Sequence, residues 1–420
     1  MADCISAMSQ MSQHAQANAI GCSDCGLVQI LPPVAPNSVV ECVRCGHDLV
    51  GPAGGGIDTP LAFSAAALLL LLPSALSPLM RLISFGVQRR NWLPTGVEAL
   101  WNAGFAPLAT VVFLLSTAIP FTYLGLMVWV LGATRLGIAA PLGKLFRWAG
   151  ALRPWAMIEV YLVGCCVAYT RLQTIGNIHV DVGGWCLIGA TFSVLLAAVT
   201  LDERSVWNAL PFRDEPTPSK TPSKRTISCG ACGLLLDAER ERSACPRCQA
   251  TLHRRKPDAL RRTLALVVTG FLLYLPANLL PVLSIERFGR DEPNTILSGV
   301  RELISSGLWP LAVIVFTASI LVPLMKLFGL SLMLVLTSWR SRRWLIGRTR
   351  LYRFIDFIGR WSSIDLFMIS ILVALVQFGA LTRVRPEGGA VAFAAVVVIT
   401  MIASQCFDPR VMWDATGSKP

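Results

Sequence analysis

Eight of the thirteen cysteines fall into four C-x-x-C pairs, and these pairs form two sets, one in each half of the chain. The first set is Cys22, Cys25, Cys42 and Cys45; the second is Cys229, Cys232, Cys245 and Cys248. Two residues between thiols let one tight turn present both to a single ion. Two such turns complete the closed four-thiolate site typical of structural zinc. Gly26, Gly46 and Gly233 follow three of the pairs, where a positive φ carries no steric cost and the backbone N–H groups can be aimed at the sulfurs; Gln249 departs from that pattern. An iron centre, disulfides and a redox pair are the competing readings. Disulfides need an oxidising compartment, and a redox motif does not require four matched pairs. Four thiolates leave no open coordination position for catalysis, and binding an ion would fold segments this short. Each set precedes a long apolar stretch, so the chain reads as a duplicated unit, a small metal-binding head followed by a membrane bundle. The other cysteines (Cys4, Cys165, Cys166, Cys186 and Cys406) lack the spacing, and all but Cys4 sit in apolar runs as packing residues.

The 420 residues are 54% hydrophobic and only 15% charged, which excludes an ordinary soluble domain. Runs apolar enough to cross a bilayer are expected at 61–83, 105–131, 155–175, 184–201, 262–285, 307–337, 362–381 and 390–406. Around them, 1–20 reads as a disordered N-terminus without a signal-peptide pattern. Residues 21–50 and 228–256 read as zinc-ribbon-like heads, 60–208 and 260–414 as transmembrane modules, and 209–227 as a Pro/Ser/Lys linker. The expected fold class is an all-α polytopic membrane protein: two tandem repeats of a zinc-ribbon-like head plus a four-helix transmembrane bundle, eight spans in all.

The net charge of +12 invites a nucleic-acid reading, but its placement argues otherwise. Lys and Arg number 4 between spans two and three, 7 between spans six and seven and 13 across 202–262, against about 8 in the four loops of the other side. By the positive-inside rule, both termini and both heads are cytosolic. The basic excess orients the chain and touches anionic lipid heads.

The halves align over nearly their full length. Leu72-Pro73 through Pro78 matches Leu275-Pro276 through Pro281, and the same offset relates Pro107-Leu108-Ala109 to Pro310-Leu311-Ala312 and Pro120 to Pro323. Further on, Trp155-x-x-x-Glu159 matches Trp361-x-x-x-Asp365. An even number of spans per half makes the repeats parallel, related by an axis along the membrane normal. Prolines within the spans free backbone carbonyls, which then line a cavity or are satisfied by neighbours at a packing kink. Segments 94–104 and 297–306 read as short amphipathic helices at the far interface, with Trp101 as an aromatic anchor.

Charges inside spans are costly and mark function. Lys326 lies mid-span, Asp365 near the start of span seven, and Glu159 is the first-half counterpart of Asp365. Lys326 aligns with Tyr123, so only the second half offers a Lys–Asp pair. Ser362, Ser363, Ser370 and Thr400 could complete a hydrogen-bonded network around it. Three readings stand: a proton- or ion-coupled switch, a static pair that fixes helix register, and acids near enough to the interface to stay wet. The four histidines offer no in-membrane haem pair, no phosphate-binding loop is present, and no nucleophile–base set is visible, so an enzyme is not expected.

The duplicated four-cysteine heads, Arg153-Pro154-Trp155-Ala156-Met157-Ile158-Glu159-Val160, Gly359-Arg360-Trp361-Ser362-Ser363-Ile364-Asp365-Leu366-Phe367 and Leu275-Pro276-Ala277-Asn278-Leu279-Leu280-Pro281 carry a resemblance. The chain resembles, over essentially its whole length, the paraquat-inducible protein A family (LetA/PqiA type) of bacterial inner membranes. It departs from the usual motifs at Ala156, Ser363 and Ala75. The resemblance implies a multi-pass inner-membrane component of an intermembrane phospholipid transport system, exchanging lipid with a periplasmic MCE-domain tunnel protein. In that picture Pro276, Asn278, Pro281 and Pro323 shape a lipid-accessible groove and Lys326/Asp365 is the coupling centre. The competing reading is a membrane scaffold, or a zinc or redox sensor, that transports nothing.

Overall fold

The computed structural model describes residues 19–31, 39–50, 56–84, 86–138, 140–173, 176–210, 226–287, 290–342, 344–377 and 382–417. Residues 1–18 of the expected N-terminal tail and 211–225 of the expected linker lie outside the described residues. The chain is two tandem repeats, each a four-cysteine head followed by four apolar helices long enough to cross a membrane.

The eight spans are Asp58–Leu76, Ala106–Leu136, Leu142–Leu172, Val182–Thr200, Ala259–Leu279, Trp309–Ser338, Leu345–Leu375 and Gly388–Cys406. Spans three and seven start well before the expected 155 and 362. Their first halves, Leu142–Leu152 and Leu345–Ile358, carry Lys144, Arg147, Arg348, Arg350, Arg353 and Asp356, and so read as loops on hydropathy alone. Both spans are broken at equivalent places, by one 3₁₀ turn at Arg153–Trp155 and another at Gly359–Ser363. Pro154 accounts for the first break, since it has no N–H to continue the helix; Gly359 opens the second.

Spans one and five end earlier than their apolar runs, because the chain turns into strands. The expected all-α character therefore needs one addition, a small sheet at the end of each module remote from the heads. In the first module β5 (Met80–Ser84) lies between β6 (Val87–Asn91) and β7 (Asn177–Val180). In the second, β10 (Leu283–Arg287) lies between β11 (Arg290–Asn294) and β12 (Thr382–Pro386). The register repeats: Met80 pairs with Asn91, and Leu283 with Asn294. Short helices Thr95–Asn102 and Ile296–Ser305 follow the hairpins.

Spans two and six each contain one π-helical turn, Leu114–Ala118 and Thr317–Leu321. Each lies just before a proline, Pro120 or Pro323. A proline cannot donate to the carbonyl four residues back, and the π turn absorbs that missing bond by inserting a residue.

Span seven is the centre of the assembly: 78% of its apolar window is buried, against at most 56% for any other span. Tyr161 of span three meets Phe367 edge-on at 5.2 Å. A Cβ on Gly164 would lie 3.0 Å from the Phe367 Cβ, and one on Gly96 2.6 Å from Ser370 Oγ, so glycine is what lets the modules close on each other. The heads are exchanged between modules. The first head packs on Trp413 and Leu345 of the second module. The second lies against the first module at Gly143, where a Cβ would meet the Arg247 carbonyl oxygen at 2.1 Å.

Candidate functional site

Each head is built from two hairpin turns that repeat one backbone pattern. Gly26, Gly46, Gly233 and Gln249 donate their N–H groups to the carbonyls of Cys22, Cys42, Cys229 and Cys245 at 2.9–3.0 Å. All four have positive φ: 73°, 62°, 71° and 57°. Gln249, which departs from the glycine pattern in sequence, adopts the same left-handed geometry at the modest cost a non-glycine residue incurs there. Cys22 and Cys45 Sγ are 3.5 Å apart, Cys25 and Cys42 3.6 Å, Cys229 and Cys248 3.5 Å, and Cys232 and Cys245 3.6 Å. In each quartet the sulfurs all lie within 4.8 Å of one another. Four sulfurs about 2.3 Å from one tetrahedral ion would be about 3.8 Å apart, so both quartets can hold a metal ion. Hydrogen bonds from the neighbouring thiols hold Cys22 and Cys229 well below the usual thiol range and push Cys25 and Cys232 well above it. Four buried thiols this close together can share one cation.

The first head is clamped to span seven by one guanidinium. Arg353 Nε donates to Asp24 Oδ2 at 2.6 Å, Nη1 to the Gly46 carbonyl at 3.0 Å and Nη2 to the Cys45 carbonyl at 3.3 Å. Asp24 also meets His47 Nδ1 at 3.3 Å. The tail of the second head is held at the end of span eight, where the Lys256 N–H donates to Asp408 Oδ2 at 3.1 Å and its Nζ to the Gln405 carbonyl at 2.6 Å. Burial pushes the Lys256 ammonium below its ordinary value. Burial pushes the Asp408 carboxyl up, but the hydrogen bonds and charge of Arg410 and the N–H groups of Lys256 and Arg410 outweigh it, leaving a net depression.

Six residues beyond Arg353 the span breaks, and the polar centre lies there. Lys326 is fully buried, and its Nζ donates to the Gly359 carbonyl at 2.8 Å; Ser362 Oγ donates to the same carbonyl at 2.9 Å. A Cβ on Gly359 would lie 2.5 Å from Lys326 Cε, so glycine is needed for the lysine to reach the backbone. Asp365 sits in the first turn of the resumed helix, where the positive end of the helix dipole favours an anion. Its Oδ2 contacts Ser319 Oγ, while Oδ1 has no hydrogen-bond partner among the described residues.

The expected Lys326–Asp365 pair does not form. Spans six and seven run antiparallel, so Ser319 meets Asp365 and Lys326, seven residues further on, meets Gly359, six residues earlier. The charges that act on the two are Asp356 on Lys326 and Arg171 of the first module on Asp365. Ser363 Oγ lies 2.8 Å from the Arg360 carbonyl and 3.1 Å from Met157 Sδ of the first module, and its one proton can go to either. Thr400 is buried beside the centre, but its hydroxyl returns to the Val397 carbonyl of its own helix at 3.0 Å. Glu159 pairs across the modules with Arg360 at 3.3 Å, and its Oε2 is unpartnered among the described residues.

The groove residues are divided. Asn278 Nδ2 donates to the Tyr274 carbonyl at 2.9 Å, near Pro276 in the last turn of span five. The Pro281 carbonyl is satisfied by the Gly389 N–H at 3.0 Å. Pro323 is buried behind the π turn, which the Tyr274 hydroxyl touches at the Ile320 carbonyl, 3.4 Å away. Ser319, Arg171 and Arg353 were not singled out from the sequence. Ser319 alone left a signal: it matches Ser116 at the repeat offset and lies two turns before Lys326 on one helix face.

With this geometry in place, comparison with known proteins gives a consistent result. The family model described as Paraquat-inducible protein A matches residues 57–211 and 260–417. The chain is 33% identical over 410 residues to the Escherichia coli K12 protein named Intermembrane transport protein PqiA, covering 96% of this chain and 97% of that one. It is 29% identical over 398 residues to the Lipophilic envelope-spanning tunnel protein A of the same organism, covering 94% and 91%. A Haemophilus influenzae protein named Probable intermembrane transport protein is 27% identical over 404 residues, covering 93% and 95%. No solved structure matches. Two copies of the matched unit, each following a four-cysteine head, account for nearly the whole chain: it belongs to the paraquat-inducible protein A family.

Proposed function

We propose that this chain is the inner-membrane component of an intermembrane phospholipid transport system. It would exchange lipid with a periplasmic MCE-domain tunnel, with both heads and both termini on the cytosolic side and a structural zinc ion in each head. The names of its relatives support intermembrane transport. The Lys and Arg distribution supports the orientation, and the closed thiolate quartets support structural rather than catalytic metal.

The observation that carries the coupling is the single proton of Ser319. Its Oγ is 2.7 Å from the Val315 carbonyl and also in contact with Asp365 Oδ2. One hydroxyl cannot donate to both. With Asp365 ionised, the hydroxyl turns to the carboxylate and releases the Val315 carbonyl in span six. With Asp365 protonated, its own O–H donates to Ser319, and Ser319 donates to Val315. Oδ1, buried without a partner, is the point at which a proton or small cation adds. The two states differ at the break in span seven and at the π turn of span six, the two irregular backbone segments a lipid-exposed helix could not tolerate. Lys326, Ser362 and Ser363 hold the break, Thr400 packs beside it, and Glu159 ties it to the first module through Arg360. The Pro276, Asn278, Pro281 and Pro323 region is the wall along which lipid passes.

A scaffold or sensor remains the second reading, favoured by the Arg353 clamp that joins a metal head to the broken span. Affinity purification of the full chain from its own membranes separates the two. Transport expects a co-purifying periplasmic MCE-domain protein and phospholipid above the level on an unrelated multi-pass protein. Neither appearing would leave only the sensor.

A further inference from the structure

The end of the first module remote from the heads holds a cleft of about 700 Å³, lined by Arg89, Arg90, Trp92, Thr95, Glu98 and Ala374. It lies between β6, the helix Thr95–Asn102 and the last turn of span seven, and so at the seam of the two modules. Ala374 is the penultimate residue of span seven, which puts the cleft at the depth where a membrane span meets water. Trp92 and Trp101 are exposed beside it, as interface-seeking side chains are.

We infer that this cleft binds the zwitterionic head group of an ethanolamine-type phospholipid, its phosphodiester at Arg90 and its amine at Glu98. The inference rests on the lipid-handling reading above and specifies where that reading's substrate is held.

Three features point to a ligand with both charges. Arg89 Nη2 is fixed on the Gln377 carbonyl at 2.8 Å, which holds its guanidinium at the mouth of the seam. Arg90 pairs in register with Arg81 across the hairpin. Arg81 is engaged by Asp181, whereas the Arg90 side chain has no hydrogen bond or ion pair among the described residues. Asp181 answers the charge of Arg81 only, and an anion over Arg90 would answer the charge of Arg90. Guanidinium groups suit phosphate because their planar donors meet two oxygens at once. Glu98 lines the same cleft with no ion pair among the described residues, so a purely anionic ligand would be repelled where an amine would be drawn in.

The second repeat does not keep this chemistry. At the same offset, Gln88, Arg89 and Arg90 become Asp291, Glu292 and Pro293, and Glu98 becomes Arg301. The hairpin geometry is retained and the charge inverted, so the repeat supplies its own control surface.

The test uses the full chain in nanodiscs of mixed phosphatidylethanolamine and phosphatidylglycerol, with a photo-crosslinking residue at Gln88 or, as control, at Asp291. Phosphatidylethanolamine should be labelled several-fold more than phosphatidylglycerol at Gln88 and without preference at Asp291. R90A should abolish most labelling of both lipids, and E98Q should bring the two lipids to equal labelling while keeping the phosphate contact. The Arg90 side chain makes no structural bond, so its variant also keeps the fold. Equal labelling at Gln88 and Asp291, or a lipid ratio unmoved by E98Q, overturns the assignment. Complete competition by inorganic phosphate without lipid preference shows a free-anion site and overturns it too. Labelling reads head-group binding alone, so intact labelling together with no MCE-domain protein or phospholipid co-purifying from native membranes would count against the proposed function alone.

Discussion

Replacing Gly359 by alanine places a methyl carbon 2.5 Å from Lys326 Cε and 2.9 Å from its Nζ. The lysine cannot swing into water, because it is fully buried. It must either give up its 2.8 Å bond to the Gly359 carbonyl or push spans six and seven apart. Leaving a charged donor unpaired costs about 1.5–3 kcal/mol and overpacking a core about 1–3 kcal/mol, so by either route G359A should destabilise the chain by about 1–3 kcal/mol. The reasoning is tested by a double-mutant cycle. K326A removes both the ammonium and the Cε and Nζ that clash, so G359A in that background should cost little, leaving a coupling energy of at least about 1 kcal/mol. The assay is unfolding of the purified chain from mixed micelles by denaturing detergent, followed by tryptophan fluorescence. Effects of G359A and K326A that simply add, within about 0.5 kcal/mol, would mean the glycine is not there for the lysine.

Further consequences are measurable. C45S should lower bound metal from two ions per chain to one by elemental analysis and raise proteolysis within 39–50, while the second head keeps its ion; unchanged metal content would refute a four-thiolate site. R353A should leave both ions bound but raise hydrogen exchange across 39–50 and at the start of span seven, because it severs the contacts to Asp24, Cys45 and Gly46; unchanged exchange would show that the clamp carries no coupling. Asp408 is held below the ordinary carboxyl range, so its stabilising contribution is present above the unfolded value and lost as the pH falls through the lower folded one. The joint between the second head and span eight should therefore loosen only below about pH 4. D408N should loosen it at neutral pH, which hydrogen exchange at Arg255–Asp258 would register.

Cysteine spacing and apolar length are local signals, which is why both heads and all eight spans could be read from the chain. What escaped depends on relations between distant segments. The half-helices Leu142–Leu152 and Leu345–Ile358 are amphipathic and charged, and no window of hydropathy joins them to the apolar halves that follow the breaks. The sheets form because β7 and β12 arrive from more than ninety residues away to complete hairpins too short to be stable alone. The exchange of heads is a packing outcome that the linker sequence leaves open. In the polar centre, sequence supplied Lys326 and Asp365 but paired them wrongly. Composition says that two charges are buried, whereas the antiparallel register of spans six and seven decides that each is satisfied by something else.

Asp365 as the switch is the centre of the account. It is tested most directly by photo-crosslinking phospholipid in cells from single positions beside Lys326 and Asp365, in the wild-type chain and in D365N. Asparagine keeps a donor for Ser319 but cannot ionise, so it should hold the protonated arrangement. Lipid adducts should cluster on the second module in the wild type and change several-fold in D365N. Adducts no stronger than at lipid-facing control positions such as Leu272 or Val199, and unchanged by D365N, would contradict it.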